Sequence, residues 1–256
     1  MARFSLLLLL VAVSYLDVGE GISFQELFRQ VWEESPYDKL ILEYQWAPSY
    51  CKKEECRINI LARKEWTIKS LLAYKNIDEN HENKLINCEG PEFNGDDLNE
   101  IRQQLNKKWP TYKRGGNNIK YWKKNYEKYG KCVNDIEKFD TMIKYFKNTL
   151  ELSDKYKIKE ILHNGDNPVD PSVTPKYMYN DFKSAIKKYI NKNPNIKCYE
   201  KENKQYIYEI DLCFNKKLEA INCDISEKID DDFKCDIENK IEYPKFPHFH
   251  LGGNAP

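Results

Sequence analysis

The chain has 256 residues, with 41 basic and 41 acidic side chains and a formal net charge of +0 at pH 7. That balance excludes a dedicated nucleic-acid coat, whose affinity comes from a surplus of Lys and Arg facing phosphates. The 8 cysteines are an even number, which reads as disulfides in an oxidising compartment, but eight cysteines allow about 105 pairings and spacing does not choose among them.

The N-terminus supplies the compartment. Arg3 precedes the apolar run FSLLLLLVAV, residues 4–13, which is too short to span a bilayer. Gly19 and Gly21 stand at the spacing a signal peptidase needs. Residues 1–21 are therefore expected to be a signal peptide, and residues 22–256 a single domain with a flexible tail from about residue 245. No later segment is long and apolar enough for a membrane helix, so no membrane partner is expected once the leader is removed. No Asn-x-Ser/Thr sequon occurs, so N-glycosylation is not expected.

LILEYQW (40–46) and EWTIKSLL (65–72) read as buried strands. Leu98, Ile101, Leu105 and Trp109 fall on one face of a helix. YWKKNYEKYGKC (121–132) reads as a helical segment that runs into a cysteine. Ile136, Phe139, Ile143, Phe146 and Leu150 mark a further helix, and Met178, Phe182, Ile186, Tyr189 and Ile190 another. Between these two lies a loop, HNGDNPVDPSVTP (163–175). QYIYEIDLCF (205–214) alternates, with Tyr206, Tyr208, Ile210, Leu212 and Phe214 on one face and Glu209 and Asp211 on the other. That pattern predicts a half-buried antiparallel strand. Strands early, helices in the middle and strands late predict an α+β domain, with helices packed on an antiparallel sheet.

The candidate sites are few. Cys51 and Cys56 are close, but no second Cys or His pair completes a tetrahedral set, so neither a metal nor a cofactor is expected. His248 and His250 have the spacing of a strand metal pair, but they lie in a Pro- and Gly-rich tail. Asp230, Asp231 and Asp232 read as a solvated loop rather than a calcium site. Lys69, Lys124, Lys128 and Lys131 either line a cleft that holds phosphate or are solvated charges of a lysine-rich chain. Trp46, Tyr50, Trp122 and Tyr126 either stack on bases or belong to the core, and core is the first reading.

Three segments carry a family resemblance. LEYQWAPSYC (42–51) resembles the Gln-Trp-Pro-x-Ser-Tyr-Cys strand end of the ribonuclease T2 family. WTIKSLLAYKN (66–76) is similar to that family's first catalytic motif, Phe-x-Ile-His-Gly-Leu-Trp-Pro. YWKKNYEKYGKC is similar to the second, Phe-Trp-x-His-Glu-Trp-x-Lys-His-Gly-Thr-Cys. The likeness continues through YFKNTLELSDKYKIKEIL (145–162) and IKKYINKNPNIKCYE (186–200) to IEYPKFP (241–247), which resembles plant-type members.

The resemblance implies a degenerate site. The first-motif histidine falls on Lys69, the phosphate-holding histidine on Lys124, the glutamate on Asn125 and the second acid–base histidine on Tyr129. The motif lysine is kept as Lys128, followed by Gly130 and Cys132. Ser70, Leu72 and Ala73 stand where the first motif has glycine, tryptophan and proline. The family's reaction takes a proton from a ribose 2′-hydroxyl and gives one to the leaving 5′-oxygen, which needs groups titrating near the working pH. Free lysine titrates at about 10.4 and tyrosine at about 10. His81, His163, His248 and His250 all lie outside both motifs.

The resemblance further implies the disulfides Cys51–Cys56, Cys88–Cys132, Cys198–Cys235 and Cys213–Cys223. It implies weak binding of RNA or phosphate by Gln45, Trp46, Lys69, Lys124 and Lys128. The expected protein is a catalytically inactive, secreted or vacuolar, storage-type homologue. The alternatives are a non-catalytic RNA-, nucleotide- or protein-binding module and a ribonuclease with weak residual activity.

Overall fold

The apolar run after Asp38 becomes the central strand of the molecule, β1 (Lys39–Gln45), buried at all of its positions. The structure is a computed structural model that describes residues 37–56, 64–78, 81–223 and 233–246. These belong to one compact unit, Pro36–Pro256; a second unit, Met1–Ser35, contains the expected signal peptide and lies outside the described residues.

After β1 come α1 (Ala47–Lys53), β2 (Thr67–Asp78), β3 (His81–Lys84), a 3-10 turn at Gly95–Ile101, α2 (Arg102–Lys108) and α3 (Asn118–Lys128). A second 3-10 turn at Gly130–Val133 leads to α4 (Met142–Lys155), α5 (Ile158–His163) and α6 (Tyr179–Ile190). The chain closes with β4 (Asn195–Lys201), β5 (Lys204–Phe214), β6 (Ala220–Ile221) and β7 (Ile241–Glu242). The sheet runs β3-β2-β1-β5-β4, antiparallel throughout, with β6 and β7 both on β5. Among the described strands β7 is the one that pairs in parallel. This is the α+β arrangement the sequence predicts. Among the described residues no helix is long and apolar enough to cross a membrane.

Helix limits follow their caps. Pro48 opens α1, where its missing N–H costs nothing. The Asn117 side chain accepts from the Lys120 amide at 3.0 Å and starts α3. The Thr141 hydroxyl accepts from the Lys144 amide at 3.3 Å and starts α4. The apolar stripe predicted a helix already at Ile136; instead Ile136 and Phe139 pack onto the core from turns ahead of that cap. α6 opens with the Asp181 carboxylate accepting from the Met178 amide at 2.8 Å and ends at Asn191, where φ is 53°.

One face of the sheet carries the main core. Leu40, Leu42 and Tyr44 of β1, Leu71 and Ala73 of β2, and Ile210, Leu212 and Phe214 of β5 meet Trp109, Trp122, Tyr126, Tyr145 and Phe146 from the helical layer. A smaller apolar cluster of Ile41, Leu72, Tyr74, Cys213 and Cys223 lies on the other face. Trp46 closes the end of β1: its indole donates to the Pro244 carbonyl at 2.9 Å, and its ring packs on Trp66 and Tyr243. The chain stays packed through Phe246, which sits against Ala47 and Tyr112; the rest of the expected tail lies outside the described residues.

Four disulfides staple the unit: Cys51–Cys56, Cys88–Cys132, Cys198–Cys235 and Cys213–Cys223. The second joins the loop after β3 to the turn after α3 and closes a separation of 44 residues. Such a crosslink narrows the unfolded ensemble by about 3–4 kcal/mol in the chain-entropy account.

Gly130 sits at that turn because nothing larger fits. An added Cβ would lie 2.5 Å from the Tyr126 ring and 3.1 Å from the Tyr145 ring. Both rings are buried, so neither can swing aside. Gly130→Ala is expected to destabilise the fold by about 1–3 kcal/mol through overpacking. Urea unfolding checks this as a lower midpoint at unchanged slope; an unchanged midpoint would show that the rings yield.

Candidate functional site

Two bulges build the site. Along β1 and β2, Glu43 faces Ser70 but Tyr44 faces Ile68, so Lys69 is the extra residue on β2. Along β4 and β5, Lys197 faces Glu209 but Cys198 faces Ile207, so Tyr208 is the extra residue on β5. A bulge breaks the strict alternation of faces and re-aims its side chain. Lys69 thus reaches the sheet face that carries Glu43, Ser70 and Glu209, opposite the main core.

A cleft of about 600 Å³ opens above this face. Tyr50 of α1 and Lys69 and Ser70 of β2 form one wall. The turn containing Lys113, Arg114, Gly115 and Gly116 forms one end. α3 forms the other wall with two neighbouring rows at helical spacing: Lys120, Lys124 and Lys128, and beside them Tyr121, Asn125 and Tyr129. The opposite side of α3 is core: Trp122 donates to the Trp109 carbonyl at 2.7 Å, and Tyr126 packs on Tyr145 and Phe146.

The cleft therefore gathers Lys69, Lys124, Asn125, Lys128 and Tyr129. Of the other expected residues it gathers Tyr50 but not Gln45, Trp46, Trp122, Tyr126 or Lys131. Gln45 is buried in β1, and Trp46 belongs to the core. Both lie where β1 leaves the sheet, so they support the site's frame rather than its surface. Lys131 turns away and pairs with Glu92 at 3.1 Å. Tyr50 borders the cleft with its ring stacked parallel to Tyr208, centroids 6.5 Å apart.

Under the cleft lies a feature that the alternation of β5 does not predict. Glu209 and Asp211 are not on a wet face: they are 3% and 0% exposed, and Glu43 beside them is 3% exposed. Two lysines hold the three acids. The Lys69 ammonium is 2.7 Å from Glu209 and 3.4 Å from Glu43. The Lys197 ammonium is 3.4 Å from Glu43, 3.3 Å from Glu209 and 3.2 Å from Asp211. The Ser70 hydroxyl donates to Glu43, and the Asn195 amide donates to Asp211 at 2.8 Å. Buried charges persist only with such pairing. The three carboxylates are spaced closely enough to hold a metal ion, but the two ammonium groups already lie among them.

Charge states follow from these contacts. Burial works against the Glu43 carboxylate, but Lys69, with Lys197 and Lys84, outweighs it and holds the group below the usual carboxylate range. Burial likewise works against the Lys69 ammonium, and Glu43 and Glu209 outweigh it, so its pKa is raised. Asp211 loses the contest: burial pushes it up to about 6 despite Lys197, and Glu43 and Glu209 push the same way. One of its oxygens has no hydrogen-bond partner. The Lys69 carbonyl accepts from the Trp109 indole at 3.0 Å and from the Tyr121 hydroxyl at 2.9 Å, which pins the bulge to the helical layer.

Among the described residues no histidine lines the cleft. His163 pairs with Asp170 at 3.0 Å at the exposed end of α5. The side chains of His81, His248 and His250, and Asp230 to Asp232, lie outside the described residues.

Comparison with known proteins agrees with this geometry. A profile described as "Ribonuclease T2 family" matches residues 37–223. The chain is similar to "Ribonuclease Oy" of Magallana gigas, 32% identical over 145 residues, covering 55% of this chain and 67% of that protein. It is also similar to "Ribonuclease-like storage protein" of Panax ginseng, 23% identical over 199 residues, covering 77% of this chain and 79% of that protein. Among solved structures, RNase NT in complex with 5′-AMP shares the fold with a TM-score of 0.68 at 21% identity, covering 82% of this chain and 99% of that one.

Asp211 generates a prediction. Its folded pKa of about 6 lies above the unfolded value of about 3.9, so the folded state binds the proton more tightly. Its contribution is most favourable at low pH and is lost as pH rises from about 4 to 6. Glu43 has the opposite sign: its contribution is present above the unfolded carboxylate value and is lost as pH falls. Asp211→Asn is expected to stabilise the fold by about 2 kcal/mol at pH 7.5, with the gain shrinking towards zero by about pH 4. Thermal melts at both pH values check it; a loss at pH 7.5 would mean that the pair with Lys197 outweighs burial.

Proposed function

Because the chain belongs to the ribonuclease T2 family, we propose that it is a catalytically silent member: a secreted or vacuolar storage-type protein that has kept an open, lysine-lined cleft. The observation that carries this reading is the fixed ammonium of Lys69 between Glu43 and Glu209. In-line cleavage of RNA needs one group that accepts the 2′-hydroxyl proton and one that protonates the leaving 5′-oxygen. On the correspondence the motifs suggest, Lys69 and Tyr129 stand where the two imidazoles would be. Lys69 already holds its proton, and the flanking carboxylates keep it there. Asn125 has no proton to exchange, and Lys124 and Tyr129 bring an amine and a phenol where the chemistry asks for an imidazole.

The storage role is supported by the name of the ginseng relative and by the chain's density of nitrogen-bearing lysines and asparagines. The secreted or vacuolar destination is supported by four disulfides and by the N-terminal apolar run. The plant-type assignment is part of this proposal and rests on the segment IEYPKFP.

A second reading, a non-catalytic nucleotide- or RNA-binding module, is favoured by the cleft being open and flanked by the Lys120, Lys124 and Lys128 row. A related structure holds 5′-AMP. Residual ribonuclease activity is the reading favoured by the name of the oyster relative.

An RNA-cleavage assay on the purified chain, beside a binding titration, separates the three. The expected result is no turnover above buffer across acid and neutral pH, since each missing acid–base group costs about 10²- to 10⁴-fold. Binding is expected to be weak and to fade with salt, as counterion release requires. Cleavage that co-purifies with the chain and disappears in Lys128→Ala would overturn the silent reading. The combined variant Lys69→His, Lys124→His, Asn125→Glu and Tyr129→His is expected to regain part of the activity. Its imidazole at position 69 would be held protonated by Glu43 and Glu209, so it would serve as the acid rather than the base.

A further inference from the structure

The cleft and the buried charge cluster share one side chain. Lys69 lines the cleft and is half-buried, while its ammonium holds Glu209 at 2.7 Å and Glu43 at 3.4 Å beneath it. We propose that this shared lysine makes the cleft a proton-regulated anion site: a proton taken up by Asp211 tightens the hold on an anion above Lys69. The inference rests on the reading that the open cleft binds an anion, and it adds how that binding is controlled.

The count of charges sets the device. Three acids, Glu43, Glu209 and Asp211, meet two lysines, Lys69 and Lys197. With all of them ionised, the cluster carries one negative charge in excess, directly under a cleft whose wall presents Lys120, Lys124 and Lys128. The floor repels the anion that the wall attracts.

The excess falls on Asp211. It is 0% exposed, and one of its oxygens has no hydrogen-bond partner. Glu43 faces it from β1, and Glu209 lies on its own strand. β4 sends Lys197 at 3.2 Å and the Asn195 amide at 2.8 Å. From β2, Lys69 is paired with Glu43 and Glu209, and the Ser70 hydroxyl donates to Glu43. Lys84 of β3 acts on Glu43. From α3, Tyr121 is held un-ionised by burial. A bare, buried oxygen beside two other carboxylates is the place for a proton, and burial strengthens its hold there. Among the described residues of the cleft there is no imidazole to act as a rival sensor.

The coupling runs through the lysines. Lys197 serves all three acids. Once Asp211 is neutral, Lys197 is left to Glu43 and Glu209, and Lys69 is less committed to them. Its ammonium then acts on an anion in the cleft, above a floor that no longer repels. Removing one charge from a poorly solvated site under the ligand is expected to tighten binding roughly three- to tenfold. By linkage, the anion raises the proton affinity of Asp211 by the same factor.

The test uses the full chain and sulfate, whose charge stays fixed in this pH range. Amide NMR of α3 and β2 follows binding at constant ionic strength. Sulfate is expected to bind roughly three- to tenfold more tightly at about pH 5 than at about pH 7.5. Asp211→Asn carries the neutral form at every pH. It is expected to bind at the higher pH as tightly as the parent chain does at the lower, and to lose most of the pH dependence. Sulfate that binds the parent equally at both pH values overturns the coupling and leaves the cleft's binding role standing. So does a pH dependence that Asp211→Asn retains in full. Sulfate that shifts no amide of α3 at either pH overturns both.

Discussion

Four buried charged side chains, Glu43, Glu209, Asp211 and Lys197, together with the half-buried Lys69, are the constraint on which the rest of the sheet turns. Each sits at a defined register position. Glu43 lies opposite Asp211 on one side and Ser70 on the other, and Lys197 lies opposite Glu209. A slip of β5 by one residue would carry Glu209 and Asp211 into the apolar face among Leu42, Tyr44 and Leu71. No cation waits there, and an unpaired buried charge costs several kcal/mol. The cluster adds little net stability over an apolar equivalent. What it adds is a penalty on every wrong pairing of β1, β2, β4 and β5.

The helical layer answers the same constraint from above. α3 packs Trp122 and Tyr126 into the aromatic block with Trp109, Tyr145 and Phe146. Helical periodicity then leaves Lys120, Lys124 and Lys128 on the far side, over the charge cluster. Trp109 and Tyr121 both donate to the Lys69 carbonyl, so the bulge that aims Lys69 is fixed by two rings from the helical layer. The cleft is the gap left between a sheet face that must bury ions and a helix whose polar rows cannot enter the core.

Much of this was legible in the sequence where a short-range pattern decides it. β1 and α6 follow their periodicities, and the motif segments place Lys69, Lys124, Asn125, Lys128 and Tyr129 around one cleft; β5 keeps its alternation from Ile210 to Phe214, but the bulge at Tyr208 puts Ile207 into the main core in place of the expected Tyr206 and Tyr208. What was not legible depends on distant partners. Alternation in β5 says that Glu209 and Asp211 share a face; it cannot say that the face is covered, because the counter-charges come from residues 69 and 197. The strand β3, HENK, has no apolar pattern and exists through its ladder with β2. α4 starts at the Thr141 cap, although the apolar stripe begins earlier, because a stripe records burial and not backbone geometry. The one local hint of the cluster was Glu43 inside an otherwise apolar strand, a residue that burial obliges to find a cation.

That obligation bears on how the cleft came to its present chemistry. With Lys69 neutral or absent, Glu43, Glu209 and Asp211 would face Lys197 alone, an excess of two negative charges in a buried pocket. Lysine at position 69 removes one of those two charges permanently, since its ammonium is stabilised by the acids it neutralises. An imidazole there would remove it only while protonated, so the same carboxylates that would tune a proton donor also make a constant cation the more stable choice. A sheet that buries these acids therefore gains stability from a cation that does not release its proton. Asp211, whose pKa is pushed up to about 6 even with both lysines in place, shows how close the cluster still lies to accepting one proton more.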